Sequence, residues 1–135
     1  MHSPDKEVIL ADKAPEAIGP YSVGIRTGQL IFTAGQLGIN REIGELVPGG
    51  VAAETRQAIL NLENILNVAG SNLDLVVKTT VFLRDMGEFA QMNAIYGEFF
   101  KENPPARSTV QVAALPKNGA VEIEAVAITA QPRNA

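Results

Sequence analysis

The chain has 135 residues, of which 46% are hydrophobic and 19% charged, with a formal net charge of −4 at pH 7 and a pI near 5.0. This length and composition predict one domain, residues 1–135, with a packed core. The acidic balance argues against a surface that binds nucleic acid through clustered Lys and Arg. The absence of cysteine excludes disulfides, thiol catalysis and thiolate metal sites, and it fits a reducing compartment.

Metal sites, cofactors and membrane segments are not expected either. The single histidine, His2, provides no material for a histidine metal site or a catalytic triad. The N-terminal segment lacks an apolar core of signal-peptide length, and no run approaches the roughly 20 apolar residues of a membrane helix. We therefore expect a soluble protein in the cytoplasm.

The first third of the chain predicts three strands and a loop. Residues 7–10, 21–26 and 29–34 have strand-like patterns, and the Thr27-Gly28 turn between the last two predicts a hairpin. The glycine-rich stretch 35–50 predicts a loop without regular structure.

The clearest predicted helix covers residues 51–69. Its apolar positions recur at helical spacing and form one stripe, and Gly70 follows as the expected C-terminal stop. The stripe consists of Ala58, Leu62, Ile65, Leu66 and Ala69.

A long β-branched run, residues 73–83, predicts a central strand that is apolar on both faces. Strict alternation places one set of side chains on one face and a second set on the other. The first set is Leu75, Val77, Thr79, Val81 and Leu83, and the second is Val76, Lys78, Thr80 and Phe82. Because two helices can cover one face only, we expect a subunit interface on the other.

The remaining elements are a second helix over residues 87–101 and two strands over 107–113 and 121–130. The apolar stripe of this helix consists of Phe89, Met92, Tyr96, Phe99 and Phe100, and Pro104-Pro105 is expected to end it. The order of elements predicts an α+β domain, a mixed β-sheet with two helices packed on one face.

One arginine enters an otherwise apolar strand directly after two prolines and an alanine. Arg107 stands at this junction, in the run PPARSTVQV. A structural arginine paired with a carboxylate at a strand start is one interpretation. The other is a bidentate clamp for a substrate carboxylate or phosphate, since the guanidinium is planar and stays charged.

Two carboxylates enter the last predicted strand on one face. Glu122 and Glu124 are two residues apart in VEIEAVAI, and alternation points them the same way as Val126 and Ile128. They are either exposed acids paired with basic neighbours or a site in which one carboxylate handles a proton.

Three further residues are candidate ligand contacts. Tyr21 follows the rigid Ile18-Gly19-Pro20 and is either a core tyrosine or a phenol that hydrogen-bonds a ligand. Asn93 lies four residues after Phe89, hence on the apolar side of its helix, where the amide needs a backbone or ligand partner. Gly35 either makes a tight turn or lets something approach the backbone closely.

Six motifs occur in order along the chain from Val8 onward. They are APEAIGPYS, FTAGQLG, TRQAILNLENI, VVKTTVFLRDMGEFAQMNAIY, PPARSTVQVAALPK and VEIEAVAI. Together they resemble the Rid family of reactive intermediate deaminases, also called the YjgF or L-PSP family.

The resemblance implies a chorismate-mutase-like fold and a homotrimer in which three sheets surround a central barrel and active sites lie between subunits. It also implies hydrolysis of 2-imino acids, such as 2-iminopropanoate and 2-iminobutanoate, to 2-oxo acids and ammonia. In this family PLP-dependent dehydratases release these imines. No cofactor, metal, nucleic acid or membrane takes part in this activity.

The family's functional residues correspond to residues of this chain. The carboxylate-binding arginine corresponds to Arg107 and the catalytic acid to Glu122. The pocket tyrosine, the helix asparagine and a backbone contact correspond to Tyr21, Asn93 and Gly35.

Two positions depart from a common version of the family pattern. Ala34 stands where a serine often precedes the Gly-Gln pair, which removes a hydroxyl. Thr109 stands where a cysteine often follows the arginine, which excludes thiol modification and leaves a hydroxyl as a candidate substrate contact.

Two other functions compete with the deaminase interpretation. A regulatory trimer could use the same cleft to bind 2-oxo acids without turnover, since the same clamp serves both. A ribonuclease or translation inhibitor fits less well, because the chain is acidic and has no histidine pair and no basic patch.

Overall fold

A seven-stranded mixed sheet forms the centre of the structure, a computed structural model that describes residues 5–130. Residues 5–130 contain nine strands, seven in this sheet and two in a separate ribbon. They are β1 Glu7–Ile9, β2 Gly24–Thr27, β3 Leu30–Thr33, β4 Gln36–Leu37, β5 Ile39–Asn40, β6 Glu45–Leu46, β7 Val76–Leu83, β8 Ala106–Gln111 and β9 Val121–Ile128. The order across the sheet is β1-β2-β3-β9-β7-β8, and β4 also pairs with β9. Only β7 and β8 run parallel in this sheet, while β5 and β6 form a separate ribbon. The predicted α+β class is confirmed.

Two helices, α1 Gly50–Val68 and α2 Phe89–Phe99, pack on one face of the sheet. The five predicted stripe residues of α1 are all buried, as the helical spacing requires. Gly70 adopts a φ of +88° after the last turn, so the predicted C-terminal stop is confirmed. Within residues 5–130, neither helix is long and apolar enough to cross a membrane.

The second helix is shorter than predicted at both ends. Residues Met86–Glu88 form a 3₁₀ turn, and α2 begins only at Phe89. The helix ends at Phe99, before the two prolines. Phe100 leaves the helical conformation, and its ring packs on Tyr96 with the centroids 4.6 Å apart.

The central strand β7 is displaced from strict alternation by a β-bulge between Val76 and Lys78. The bulge places Val76 on the buried face and leaves Val77 44% exposed, so the predicted faces are wrong at these two residues. Leu75 belongs to a preceding 3₁₀ turn, Leu73–Leu75, instead of the strand. Beyond the bulge, alternation holds to the end of the strand.

Two predicted segments near the N-terminus also differ from the structure. The stretch 35–50 is not a loop, because it contains β4, β5 and β6. These strands have two residues each, too few to leave a periodic pattern in the sequence. Strand β2 begins at Gly24 instead of Tyr21, since the Tyr21 N–H donates to the Gly19 carbonyl and bends the chain there.

The face of the sheet opposite the helices carries several exposed apolar side chains, and no other element of residues 5–130 covers it. Its exposed hydrophobic side chains come from β3, β7, β8 and β9: Leu30, Phe32, Val77, Val110 and Ile128. Monomeric proteins rarely expose contiguous apolar patches of this kind. The expected two-faced sheet is therefore present, with one face free for a partner.

Replacing Ile65 by alanine should destabilise the fold strongly, because this side chain on α1 is fully buried. We expect the free energy of unfolding to fall by about 2–5 kcal/mol, the usual range for such a cavity. Urea unfolding at a fixed protein concentration measures it. Val68→Ala on the same helix is the control: Val68 is 56% exposed, and a loss equal to that of Ile65→Ala would contradict the assigned packing.

Candidate functional site

Three of the predicted site residues, Tyr21, Gly35 and Glu122, line one surface cavity of about 560 Å³. They come from the segment before β2, the segment before β4 and the start of β9. We call these three residues the Glu122 group. The other lining residues are Pro15, Glu16, Ile18, Ala34, Gln36, Leu37, Ile39, Arg41, Gly44, Pro116 and Lys117.

Glu122 lies directly against Gly35. A methyl group on Gly35 would stand 2.6 Å from the Glu122 Oε2 atom and 2.7 Å from its carboxyl carbon. These separations are far shorter than van der Waals contact, so any larger residue at position 35 would displace the carboxylate. The sequence prediction that Gly35 permits a close approach therefore has a specific partner, the side chain of Glu122.

The carboxyl of Glu122 holds its proton more tightly than an exposed glutamate does. Burial raises its pKa above the ordinary 4.5, and the neighbouring Glu124 carboxylate raises it further. Glu122 and Glu124 share the face of β9 opposite the helices, and both are half-buried. The same-face prediction is confirmed, and the raised pKa suits a group that accepts and returns a proton.

Tyr21 is not a core tyrosine. Its side chain is 49% exposed, and its hydroxyl accepts a long hydrogen bond, 3.4 Å, from the Ile18 N–H. The ring lies against Gly19, where an added methyl would be 3.6 Å from two ring carbons. The phenol thus stands at the edge of the cavity, and a ligand contact by Tyr21 stays a prediction.

Arg107 lies elsewhere, on edge strand β8 under helix α2. Its guanidinium carbon is 4.7 Å from the centroid of the Tyr96 ring and 5.5 Å from that of Phe89. Among residues 5–130 the ion pair is Arg56–Glu98 on the surface, and no carboxylate pairs with Arg107. The interpretation of Arg107 as a structural arginine paired with an acid is therefore wrong for this part of the chain.

Thr109 and Asn93 lie near Arg107, and the three form what we call the Arg107 group. Thr109 is two residues along β8, on the same face, and its buried Oγ1 has no hydrogen-bond partner within residues 5–130. Asn93 lies one helical turn from both aromatic residues that contact the guanidinium, Phe89 and Tyr96. Asn93 is exposed, so the prediction that it points into the apolar side of α2 is wrong: the buried side of this helix is formed by Met92 and Tyr96.

The two groups lie on opposite faces of the sheet. Arg107 is opposite Thr79 on β7, and Thr79 is fully buried beneath the helices. Glu122 is opposite Phe82, three residues further along β7, which points to the uncovered face. A single chain therefore does not bring the predicted arginine and the predicted acid together.

Several residues that contact Arg107 or line the cavity were not found from the sequence. Phe89 and Tyr96 were assigned to the core stripe of α2, and the arginine that they contact is distant in sequence. Arg41 and Lys117 line the cavity from short loops without a recognisable motif. Within residues 5–130, no three His, Asp or Glu side chains are placed to hold a metal ion, and His2 lies outside the described residues.

Comparison with known proteins places the chain in a family. The family model described as Endoribonuclease L-PSP matches residues 11–129. The chain belongs to this family, the Rid or YjgF/L-PSP family. The resemblance of its six motifs is thereby confirmed.

Individual members of the Rid family are similar over nearly the whole chain. The human 2-iminobutanoate/2-iminopropanoate deaminase is 50% identical over 128 residues, which cover 95% of this chain and 93% of that protein. A RutC family protein of Pyrococcus abyssi is 49% identical over 122 residues, 90% of this chain and 96% of that one. The crystal structure of E. coli TdcF with bound serine matches with a TM-score of 0.88 at 40% identity, covering 93% of this chain and all of that chain, 100%.

Replacing Glu124 by glutamine should lower the pKa of Glu122, because it removes the neighbouring negative charge that disfavours ionisation. Burial remains, so the pKa should stay above 4.5. A ¹³C NMR titration of the side-chain carboxyls measures the shift. Glu102→Gln, on an exposed loop, is the control and should leave the Glu122 titration unchanged; an unchanged titration in Glu124→Gln would contradict the assigned coupling.

The same raised pKa predicts how Glu122 affects stability. The folded state binds the proton more tightly than the unfolded chain, so the contribution of Glu122 is most favourable below pH 4.5 and is lost as the pH rises through the raised folded-state pKa. Glu122→Gln should therefore gain stability relative to wild type as the pH rises from 4 to 7 in parallel urea unfolding curves. An equal difference at both pH values would contradict the raised pKa.

Proposed function

We propose that the protein is a hydrolase of C=N bonds that converts 2-imino acids, such as 2-iminobutanoate and 2-iminopropanoate, to 2-oxo acids and ammonia. The observation that carries the proposal is the half-buried guanidinium of Arg107, which neutral rings contact and no carboxylate neutralises within residues 5–130. Such a group is suited to bind the carboxylate of a ligand. The human relative's name and the serine bound by TdcF support a small α-carboxylate ligand.

We propose further that the active site forms between two subunits of a homotrimer. One subunit contributes the Arg107 group and its neighbour contributes the Glu122 group. Two observations support this arrangement: the groups lie on opposite faces of the sheet in one chain, and the face opposite the helices exposes apolar side chains that residues 5–130 leave uncovered. Subunits related by a three-fold axis would form three equal sites.

In this site Arg107 holds the substrate carboxylate by two charge-assisted hydrogen bonds and fixes the position of the imine carbon. Asn93 and Thr109 complete this side of the cleft. Tyr21 contacts the substrate from the opposite side, and the backbone at Gly35 stands close enough to contact the substrate as well. Substrate binding thus draws on both subunits.

Glu122 supplies the proton transfers. Its carboxylate takes a proton from a water molecule while the oxygen bonds to the imine carbon, which gives a tetrahedral carbinolamine. Glu122 then gives this proton to the carbinolamine nitrogen. As the C–N bond breaks, the regenerated carboxylate takes the proton of the carbinolamine hydroxyl, so that ammonia leaves and the 2-oxo acid forms. The raised pKa of Glu122 favours the step in which it holds the proton between these two events. A protonated iminium is already electrophilic, so these steps need only water and Glu122.

We also propose a cytoplasmic location, on the sequence grounds given above.

Arg107→Ala should remove most of the imine hydrolysis. Loss of a buried, paired charge in a binding site costs about 2–5 kcal/mol, roughly 30- to 4,000-fold in kcat/KM. An amino-acid oxidase can generate the imine, and semicarbazide traps what remains. The control Arg56→Ala alters the surface ion pair with Glu98 and should retain full activity; if wild type itself does not lower the rate of trapping, the deaminase function is wrong.

Mixing two inactive variants tests whether the site lies between subunits. Arg107→Ala and Glu122→Gln should each be inactive alone, but random mixed trimers formed by co-refolding should regain about a quarter of the wild-type sites, since each mixed trimer contains one intact pair. Activity measured after mixing, with co-refolded single variants as controls, gives the result. No recovery in verified mixed trimers would place both residues in one subunit's site or exclude one of them.

A binding protein without turnover remains the second candidate, because the clamp by Arg107 serves both functions. Glu122→Gln separates them: in the enzyme it abolishes hydrolysis and leaves binding of 2-oxobutanoate largely intact. A ribonuclease, the activity in the description of the matched family model, requires cleavage of RNA that the same variant abolishes. Purified wild type incubated with RNA of defined sequence provides that comparison.

A further inference from the structure

Within residues 5–130, the contacts of the Arg107 guanidinium leave its hydrogen-bond donors available. A half-buried arginine is usually neutralised by a carboxylate that occupies its N–H groups. Here the contacts come from the ring faces of Phe89 and Tyr96, at 5.5 and 4.7 Å. A ring face attracts the cation through its π electrons and accepts none of the in-plane N–H donors.

The ring of Tyr96 is itself held by two contacts. Its hydroxyl is 2.7 Å from Thr79 Oγ1, and both side chains are buried. Thr79 is the residue of β7 directly opposite Arg107, so this hydrogen bond ties the ring to the pair of strands that carries the arginine. Phe100 packs against the ring with the centroids 4.6 Å apart and the planes inclined by 37°.

The Tyr96 hydroxyl stays protonated, which is consistent with a neutral ring beside the Arg107 guanidinium. Burial raises the pKa of Tyr96 above 10.0, and this outweighs the lowering by the Thr79 hydrogen bond and by the positive charge of Arg107. The ring therefore stays neutral at physiological pH and does not form an ion pair with the guanidinium. A phenolate would instead attract the N–H donors toward its oxygen.

We infer that Tyr96, together with Phe89, is a positioning residue that orients the Arg107 guanidinium so that its donors face a bound carboxylate. This inference rests on the proposed function, in which Arg107 binds the substrate carboxylate. A flexible arginine loses rotamer freedom when it binds a ligand, and preorganisation reduces that loss. The two rings thus contribute to substrate affinity without touching the reacting atoms.

The test compares Tyr96→Leu, Phe89→Leu and Tyr96→Phe. The two leucine variants each remove one ring from Arg107 and should raise KM, and the Kd of 2-oxobutanoate in calorimetry, by roughly 3- to 30-fold. kcat should change less than KM. Tyr96→Phe keeps the ring and loses only the hydrogen bond to Thr79, so it should stay within about threefold of wild type.

Phe99→Leu is the matched control. Phe99 is on the same helix, is half-buried like Phe89 and lies 5.8 Å from another arginine, Arg56. It should not change ligand affinity. The amide of 2-oxobutanoic acid, which lacks the carboxylate, provides the second control: the leucine variants should lose affinity for the acid and not for the amide. Equal losses for both ligands would indicate a general structural effect and overturn the inference.

A spectroscopic measurement keeps the test independent of activity. In wild type the ring currents of Phe89 and Tyr96 should shift the Arg107 side-chain NH resonance upfield, and Phe89→Leu should move it downfield. An unshifted resonance in wild type overturns the contact, as would wild-type affinity in both leucine variants when their thermal melts show a folded protein. If Tyr96→Leu does not fold, Phe89→Leu decides between the outcomes.

Arg107→Ala separates failure of this inference from failure of the proposed function. If Arg107→Ala loses 2-oxobutanoate binding and the leucine variants do not, the clamp stands and the positioning role is wrong. If Arg107→Ala binds as wild type does, the clamp is wrong, and the positioning role for it is wrong as well.

Discussion

A β-strand presents each side chain to one face of its sheet only, and this constraint determines what a single chain can assemble. Arg107 is opposite Thr79 and Glu122 is opposite Phe82, on the same strand β7. Since these two positions are three residues apart, their partners lie on opposite faces. The predicted site residues therefore form two separated groups in one chain, and the proposal of a site between subunits rests on this separation.

The surroundings of Arg107 favour its charged form, whereas the surroundings of Glu122 disfavour its charged form. Arg107 is a cation stabilised by neutral rings, and no acceptor among residues 5–130 occupies its donors. Glu122 is a carboxyl whose ionised form is disfavoured by burial and by Glu124. In the proposed enzyme, the charge of Arg107 binds the substrate carboxylate and the carboxyl of Glu122 transfers the proton.

Hydrophobic periodicity correctly predicted the helices and strands that are long enough for the apolar pattern to repeat. The stripe of α1 and the alternation of β9 were predicted and confirmed, because each is repeated over several turns or residue pairs. Errors occurred where a local irregularity overrides the period. The bulge in β7 exchanged the faces of Val76 and Val77, and three strands of two residues each lay within a predicted loop.

The sequence alone determined the family, the residue types available for chemistry and the shared face of Glu122 and Glu124, because ordered motifs and strand alternation are local properties of the chain. The tertiary structure decided that Glu122 lies against Gly35, that the Arg107 guanidinium lies over two rings of α2, and that these two groups occupy opposite faces. It also decided that Asn93 and Tyr21 are exposed. Each of these facts depends on the pairing register and packing of segments far apart in the chain, which the period of one segment does not encode.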